Sequence, residues 1–189
     1  MGFFTTSKHH SLKKSTYINL RWIGIVGQFI SVNLVFFYFN FKFNFVIANL
    51  VIFIGAITNF YLIFLHKKTQ LSDRPALFFL IIDIIQLSAL IYLTGGITNP
   101  FIIFLLIPSV FASSNLSFKS NILILFSTLI SIIFLTFFSL DLPSPLNIHF
   151  HVSPYYYYSI PIALIIALVF LNYFAISFGE ESRLRKEAI

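Results

Sequence analysis

The sequence predicts an all-α integral membrane protein, a bundle of six helices with both termini on the cytoplasmic side. Three observations carry this. The 189 residues are 58% hydrophobic and 10% charged, with a mean hydropathy of +0.93, whereas a soluble domain is about half apolar and about a quarter charged. The apolar residues fall in long runs of the length that crosses a bilayer as a helix. When those runs are laid out as alternating spans, every Lys and Arg except Lys42 falls on one side. That is the positive-inside pattern of a polytopic protein, and it suits an anionic inner leaflet. The net charge of +6 is therefore a topology signal and not a nucleic-acid footprint. With no cysteine in the chain, disulfides, thiol redox chemistry and Cys-based metal sites are excluded within it.

Residues 1–17 read as a cytoplasmic tail carrying Lys8, His9, His10, Lys13 and Lys14. The His9-His10 pair is too short a run to argue for metal. No small-residue cleavage site follows the first apolar run, so that run is a retained span and not a signal peptide. Span one covers about Ile18 to Tyr38, with Arg21 and Trp22 as headgroup anchors at its cytoplasmic edge. Gly24 and Gly27 share a face that permits close helix contact, and Gln28 reads as packing glue. A short outer loop with Lys42 leads to span two, about Phe45 to Leu65, whose Asn49, Thr58 and Asn59 should face another helix.

An inner loop with His66, Lys67, Lys68, Asp73 and Arg74 precedes span three, which Pro75 opens and which ends near Thr94. Asp83 is the one carboxylate well inside a span, and Gln86 lies on the same face. An ionisable group at that depth is a functional candidate by default. Two readings stand for Asp83: a buried group hydrogen-bonded to Gln86 or another helix, and a proton-linked role. It lies twelve residues, about 18 Å, from the Gly95-Gly96 break, beyond the reach of a small ligand bound there.

That break, Gly95-Gly96-Ile97-Thr98-Asn99-Pro100-Phe101, organises the chain. Paired glycines release the backbone from helical geometry, Asn99 can cap a helix, and Pro100 suits its first position. One helix should stop at Gly95 and the next begin at Pro100. Span four then has only some thirteen apolar residues before Ser113-Ser114-Asn115, with Pro108 as a kink candidate. As an α-helix that is about 20 Å, against a hydrocarbon layer of roughly 30 Å. The mismatch points to a hairpin that dips into the membrane beside a pocket, or to a span that extends to Phe118. Lys119 marks the next loop as cytoplasmic, and span five covers about Asn121 to Leu140. The outer loop that follows contains His149 and His151, a weak metal pattern without a nearby carboxylate, and Tyr155 to Tyr158, an aromatic belt. Span six covers about Ser159 to Phe178 with Asn172 inside it, which makes 18–178 the membrane domain. Residues 179–189 stay in helical register and read as the start of a cytoplasmic signalling helix. Phosphate-loop, nucleotide-binding, HExxH and GxSxG patterns are all missing, and no inverted repeat supports a transporter.

The heptad Gly95-Gly96-Ile97-Thr98-Asn99-Pro100-Phe101 resembles the GGxxNPF heptad of RegB/PrrB-type redox-sensing histidine kinases, which lies in an outer loop between spans three and four of a six-span input domain. Arg21-Trp22-Ile23-Gly24-Ile25-Val26-Gly27-Gln28 is similar to that family's RWxxxxGQ opening of span one. Leu90 to Thr94 and Glu180 to Leu184 fit as well. The resemblance covers nearly the whole chain. It implies a multi-pass protein of the bacterial inner (cytoplasmic) membrane that senses the quinone pool, with ubiquinone or a related quinone as ligand and no metal. It further implies a homodimer through span six and the kinase region, and a response regulator as partner. The family's enzymatic activity is histidine phosphotransfer. These 189 residues carry no phospho-accepting His box and no ATP-lid glycines, so no catalytic residue transfers and the chain reads as an input domain.

A quinone needs an apolar slot, an aromatic face and one or two donors. Gly95 and Gly96 remove bulk, the Asn99 amide can donate to a carbonyl or cap its own helix, and free N–H groups after Asn99 carry partial positive charge. Pro100 starts the helix and Phe101 can stack on the ring. Asp83, Gln86 and Gln28 are the candidates for a proton-linked or packing role. Two alternatives remain open. The heptad can be a tight helix hairpin without a ligand, and the chain can be a non-sensory polytopic scaffold or transporter-like protein with no kinase partner.

Overall fold

The computed structural model describes residues 11–65, 69–145 and 152–187. His9, His10, His66, Lys67, Lys68, His149 and His151 lie outside the described residues, as do the side chains beyond Gly179. Among the described residues five helices are long and apolar enough to cross a membrane: α1 (Lys14–Phe37), α2 (Phe45–Leu65), α3 (Asp73–Leu93), α5 (Phe118–Phe137) and α6 (Pro154–Glu187). Between α3 and α5 lies a shorter apolar stretch, Pro100–Asn115. It consists of a 3-10 helix (Pro100–Leu105) followed by α4 (Leu106–Asn115). The chain is thus a predominantly helical, multi-pass membrane protein, and its described helices lie between two ends. At one, the basic end, Lys14 Nζ donates to the Ile63 carbonyl and the Asp73 carboxylate accepts from the Ser117 backbone N–H. At the other, the hairpin end, the Leu140 N–H donates to the Tyr92 carbonyl.

Several boundaries differ from the sequence expectation. Residues 11–13 form a strand: Ser11–Lys13 (β1) pairs antiparallel with Gln70–Ser72 (β2), with Leu12 opposite Leu71. The reason is period two. Leu12 and Leu71, opposite each other, are both buried in the core with Tyr17, Leu62 and Ala76. The ribbon closes the basic end. Helix α1 starts at Lys14, not Ile18. Gly24 and Gly27 do not support a close helix contact, since both are exposed and nothing lies within 4 Å of a methyl placed on either. Gly55 and Gly179 fit this description instead, with the Gln86 side chain against the first and the Ser114 backbone against the second.

The short fourth segment is longer than α-helical geometry alone would make it. A 3-10 helix rises about 2.0 Å per residue against 1.5 Å for α. Six residues of one and ten of the other therefore reach about 27 Å, close to the roughly 30 Å hydrocarbon layer. Proline explains the geometry. Pro108 has no N–H for the Phe104 carbonyl, and its ring crowds that oxygen, so an α-helical turn there is disfavoured. The Leu106 N–H instead reaches Ile103 O in the i−3 pattern. Pro108 itself sits in the first turn of α4.

Helix α6 runs unbroken from Pro154 to Glu187, through Pro161 and Gly179. Its 34 residues extend about 51 Å, well beyond one hydrocarbon thickness. Its most extensive packing is against α4, while α3 packs on α5 and α1 on α2.

Candidate functional site

Helix α3 ends where the glycines begin. Thr94 Oγ1 donates to the Leu90 carbonyl at 2.8 Å, and Gly95 and Gly96 adopt φ of 113° and 56°, the left-handed region that L side chains rarely occupy. A 3-10 turn, Gly96–Thr98, leads to Asn99, whose extended backbone (φ −72°, ψ 122°) caps the 3-10 helix. The stop and the start expected at Gly95 and Pro100 are both present.

The bare faces of the two glycines are turned inward. A methyl on Gly96 would fall 2.2 Å from Ser139 Cβ and 2.9 Å from the Leu135 carbonyl oxygen; one on Gly95 would fall 2.5 Å from Leu142 Cδ1. The missing side chains thus let the hairpin seat on α5 and the segment after it. Asn99, buried, uses both ends of its amide. Oδ1 accepts from the Phe101 N–H at 2.9 Å, and Nδ2 donates to the Thr94 carbonyl at 2.9 Å and to Thr94 Oγ1 at 2.6 Å. The cap and the donor role are therefore not exclusive, but the donor is spent within the hairpin. The N–H groups after Asn99 are not free either: that of Phe101 goes to the Asn99 side chain and that of Ile102 to the Asn99 carbonyl at 3.0 Å. Satisfying these groups internally is what apolar surroundings demand.

Outward, the hairpin presents Pro100 and Phe101, both exposed. Phe101 stacks on Phe104 with ring centres 5.9 Å apart and planes 17° from parallel. Side chains three apart eclipse in a 3-10 helix, which is why these rings lie over one another. Phe101, Phe104 and Ile107 all face out, while Ile102, Leu105 and Pro108 are buried: a three-residue repeat that continues to the first turn of α4.

The basic end holds the buried polar chemistry. Asp83 is not bonded to Gln86. Its Oδ1 takes the Arg21 guanidinium, from Nε at 2.8 Å and from the η2 nitrogen at 2.7 Å, and Tyr17 Oη donates to Oδ2 at 2.5 Å. Arg21 also reaches Thr58 Oγ1 at 2.7 Å and Asn59 Oδ1 at 3.3 Å. Far from being a headgroup anchor, Arg21 is 7% exposed and ties α1 to α2 and α3. The desolvation of a charge inside a bundle accounts for this: it is tolerated only with partners on every side. Gln86 Nε2 instead donates to Gln28 Oε1 at 2.8 Å, which links α1 to α3.

A second, neutral cluster joins α4, α5 and α6. Ser109 Oγ donates to Asn172 Oδ1 at 3.1 Å, Ser113 Oγ contacts the same oxygen, and Ser113 Oγ lies 3.0 Å from Asn121 Oδ1. Sequence reasoning singled out Asn172 but missed its serine partners, and it missed Tyr17 as a partner of Asp83. Matching depth links Arg21 to Asp83, but it became readable only once the structure began α1 at Lys14. Arg21 and Asp83 are seven and ten residues into their helices from the same end, about 10 and 15 Å. Among the described residues no group of three His, Asp or Glu is arranged to hold a metal.

Together these features define a polytopic helical membrane domain built round a capped glycine hairpin. In sequence it is similar to the sensor histidine kinase RegB of Cereibacter sphaeroides, 25% identical over 175 residues. That match covers 92% of this chain and 38% of RegB, so the chain spans well under half the length of that relative. No family model matches the chain. No solved structure matches it.

Proposed function

We propose that the chain is the membrane input domain of a redox-responsive sensor histidine kinase and that it reads the quinone pool at the Gly95–Phe101 hairpin. The observation that carries this reading is the similarity to a sensor kinase along almost the whole chain, together with the heptad that opens span four. In this reading the ligand is ubiquinone or a related quinone, and its ring lies on the exposed Pro100 and Phe101 face against Phe104. Gly95, Gly96 and Asn99 hold that face in place from behind, since their own polar and open sides are already occupied. The chain acts as a homodimer through α6 in the bacterial inner membrane, and the phosphotransfer to a response regulator belongs to a kinase core. Asp83, with Arg21 and Tyr17, packs the bundle at the basic end and takes no part in ligand contact.

A ligand reports redox state only if it binds two arrangements of the protein differently. The test is ubiquinone binding by the purified chain in nanodiscs, in both oxidised and reduced forms. Phe101→Ala removes the ring platform and is expected to weaken binding roughly tenfold, the effect of losing about 1.4 kcal/mol of stacking and burial. Unchanged affinity in both Phe101→Ala and Asn99→Ala rejects the heptad as the site.

A further inference from the structure

The 3-10 helix at Pro100–Leu105 is six residues long, whereas 3-10 runs longer than three or four residues are uncommon. It connects the hairpin directly to α4, and α4 is the principal neighbour of α6. We propose that this segment is a two-state coupler: it passes from 3-10 to α form and moves α4 against α6, with Asn172 as the grip that transmits the motion.

The geometry sets the size of the movement. Converting six residues from 3-10 to α shortens the segment by about 3 Å, at 0.5 Å per residue. It also unwinds it by about 20° per residue, or roughly 120° overall. If the hairpin stays seated on Ser139 and Leu142, α4 must absorb that change. The Ser109 and Ser113 hydroxyls then cannot both stay on Asn172 Oδ1. The grip is neutral and small, and single hydrogen bonds between membrane helices are weak, so it can exchange partners. Asn172 keeps its own place because Nδ2 donates to the Leu168 carbonyl of α6 at 2.8 Å. Two further features fit a poised element. Pro108 disfavours the α form without forbidding it, and the Phe101 and Phe104 rings, eclipsed in the 3-10 form, are offset by about 60° in the α form. A planar ring laid on that stack therefore favours one state over the other. This last step rests on the proposed quinone reading; the coupling itself does not.

The absence of cysteine makes a direct test available. A methyl on Gly179 of α6 would stand 3.9 Å from Ser114 Cβ of α4, inside the range that a disulfide bridges. The S114C/G179C chain in lipid vesicles should cross-link readily under mild oxidation. Asn99→Ala, which removes the cap at the far end of the coupler, should change that rate at least about fivefold, the low end of ordinary site-to-site coupling. Pro108→Ala, which relieves the block on the α form, should change it in the same direction. Adding Asn172→Leu should make the rate insensitive to both. Rates that stay equal in Asn99→Ala and Pro108→Ala chains with native helical content overturn the proposal, as does sensitivity that survives Asn172→Leu. Added ubiquinone is the separate arm. A mutational effect without any effect of oxidised or reduced quinone supports the coupler and rejects the quinone reading.

Discussion

The two polar clusters near the basic end do opposite things with similar means. One joins α1, α2 and α3 through a charge: Arg21 and Asp83 with Tyr17, Thr58 and Asn59 around them. The other joins α4, α5 and α6 through hydroxyls and amides only: Ser109, Ser113, Asn121 and Asn172. A buried ion pair resists separation because either partner alone is an uncompensated charge in apolar surroundings. A hydroxyl released from an amide finds a backbone carbonyl one turn away, as Ser113 already does with Ser109 O at 2.9 Å. The first cluster therefore makes a fixed scaffold, and the second makes a joint. The helix that extends beyond the hydrocarbon layer is held by the joint.

The strongest way to break this contrast is Arg21→Leu. It strands Asp83 and is expected to lower stability by about 3–5 kcal/mol, read as loss of the folded fraction in thermal unfolding in micelles. The paired change Arg21→Leu with Asp83→Leu should restore most of it, because the scaffold then needs no charge balance. Equal damage from single and double variants would show that the pair carries some role besides packing.

Gly96→Ala tests the scaffold's other end, where the hairpin seats on α5. The left-handed φ and the overlap with Ser139 and the Leu135 carbonyl together cost about 3 kcal/mol. The measurement is the same unfolding curve, and Ser139→Gly in the same chain should recover part of the loss. Asn172→Leu should be milder, about 1 kcal/mol for the hydrogen bonds it removes. A loss as large as that of Arg21→Leu would mean the joint is a scaffold too. The smallest effect belongs to Gly24→Ala, where nothing within 4 Å opposes a methyl. Helix propensity alone predicts a gain of up to about 1 kcal/mol, and a clear loss would reveal a second molecule on that face of α1.

What could be read from the chain follows the range of the interactions. Gly95-Gly96 and Asn99-Pro100 act within a few residues, through φ, capping and a missing N–H, so the hairpin and its limits were legible without a fold. Leu12 and Leu71 offered too short a pattern to announce a strand pair. The partner of Asp83 was not legible, because sixty-two residues separate it from Arg21 and nothing local distinguishes Arg21 from a headgroup anchor. The inward seat of the glycines depended on Ser139 and Leu142, which meet them only after α5 returns to the hairpin end.

By itself, then, the amino-acid order determined the membrane class, the helical runs and the place where span three turns into span four. Each of those depends on hydrophobicity, spacing or backbone chemistry that a short window contains. Tertiary structure decided which polar groups face each other and which glycines touch a neighbour. Those outcomes depend on how helices distant in sequence align in depth, and only the packed bundle establishes that alignment.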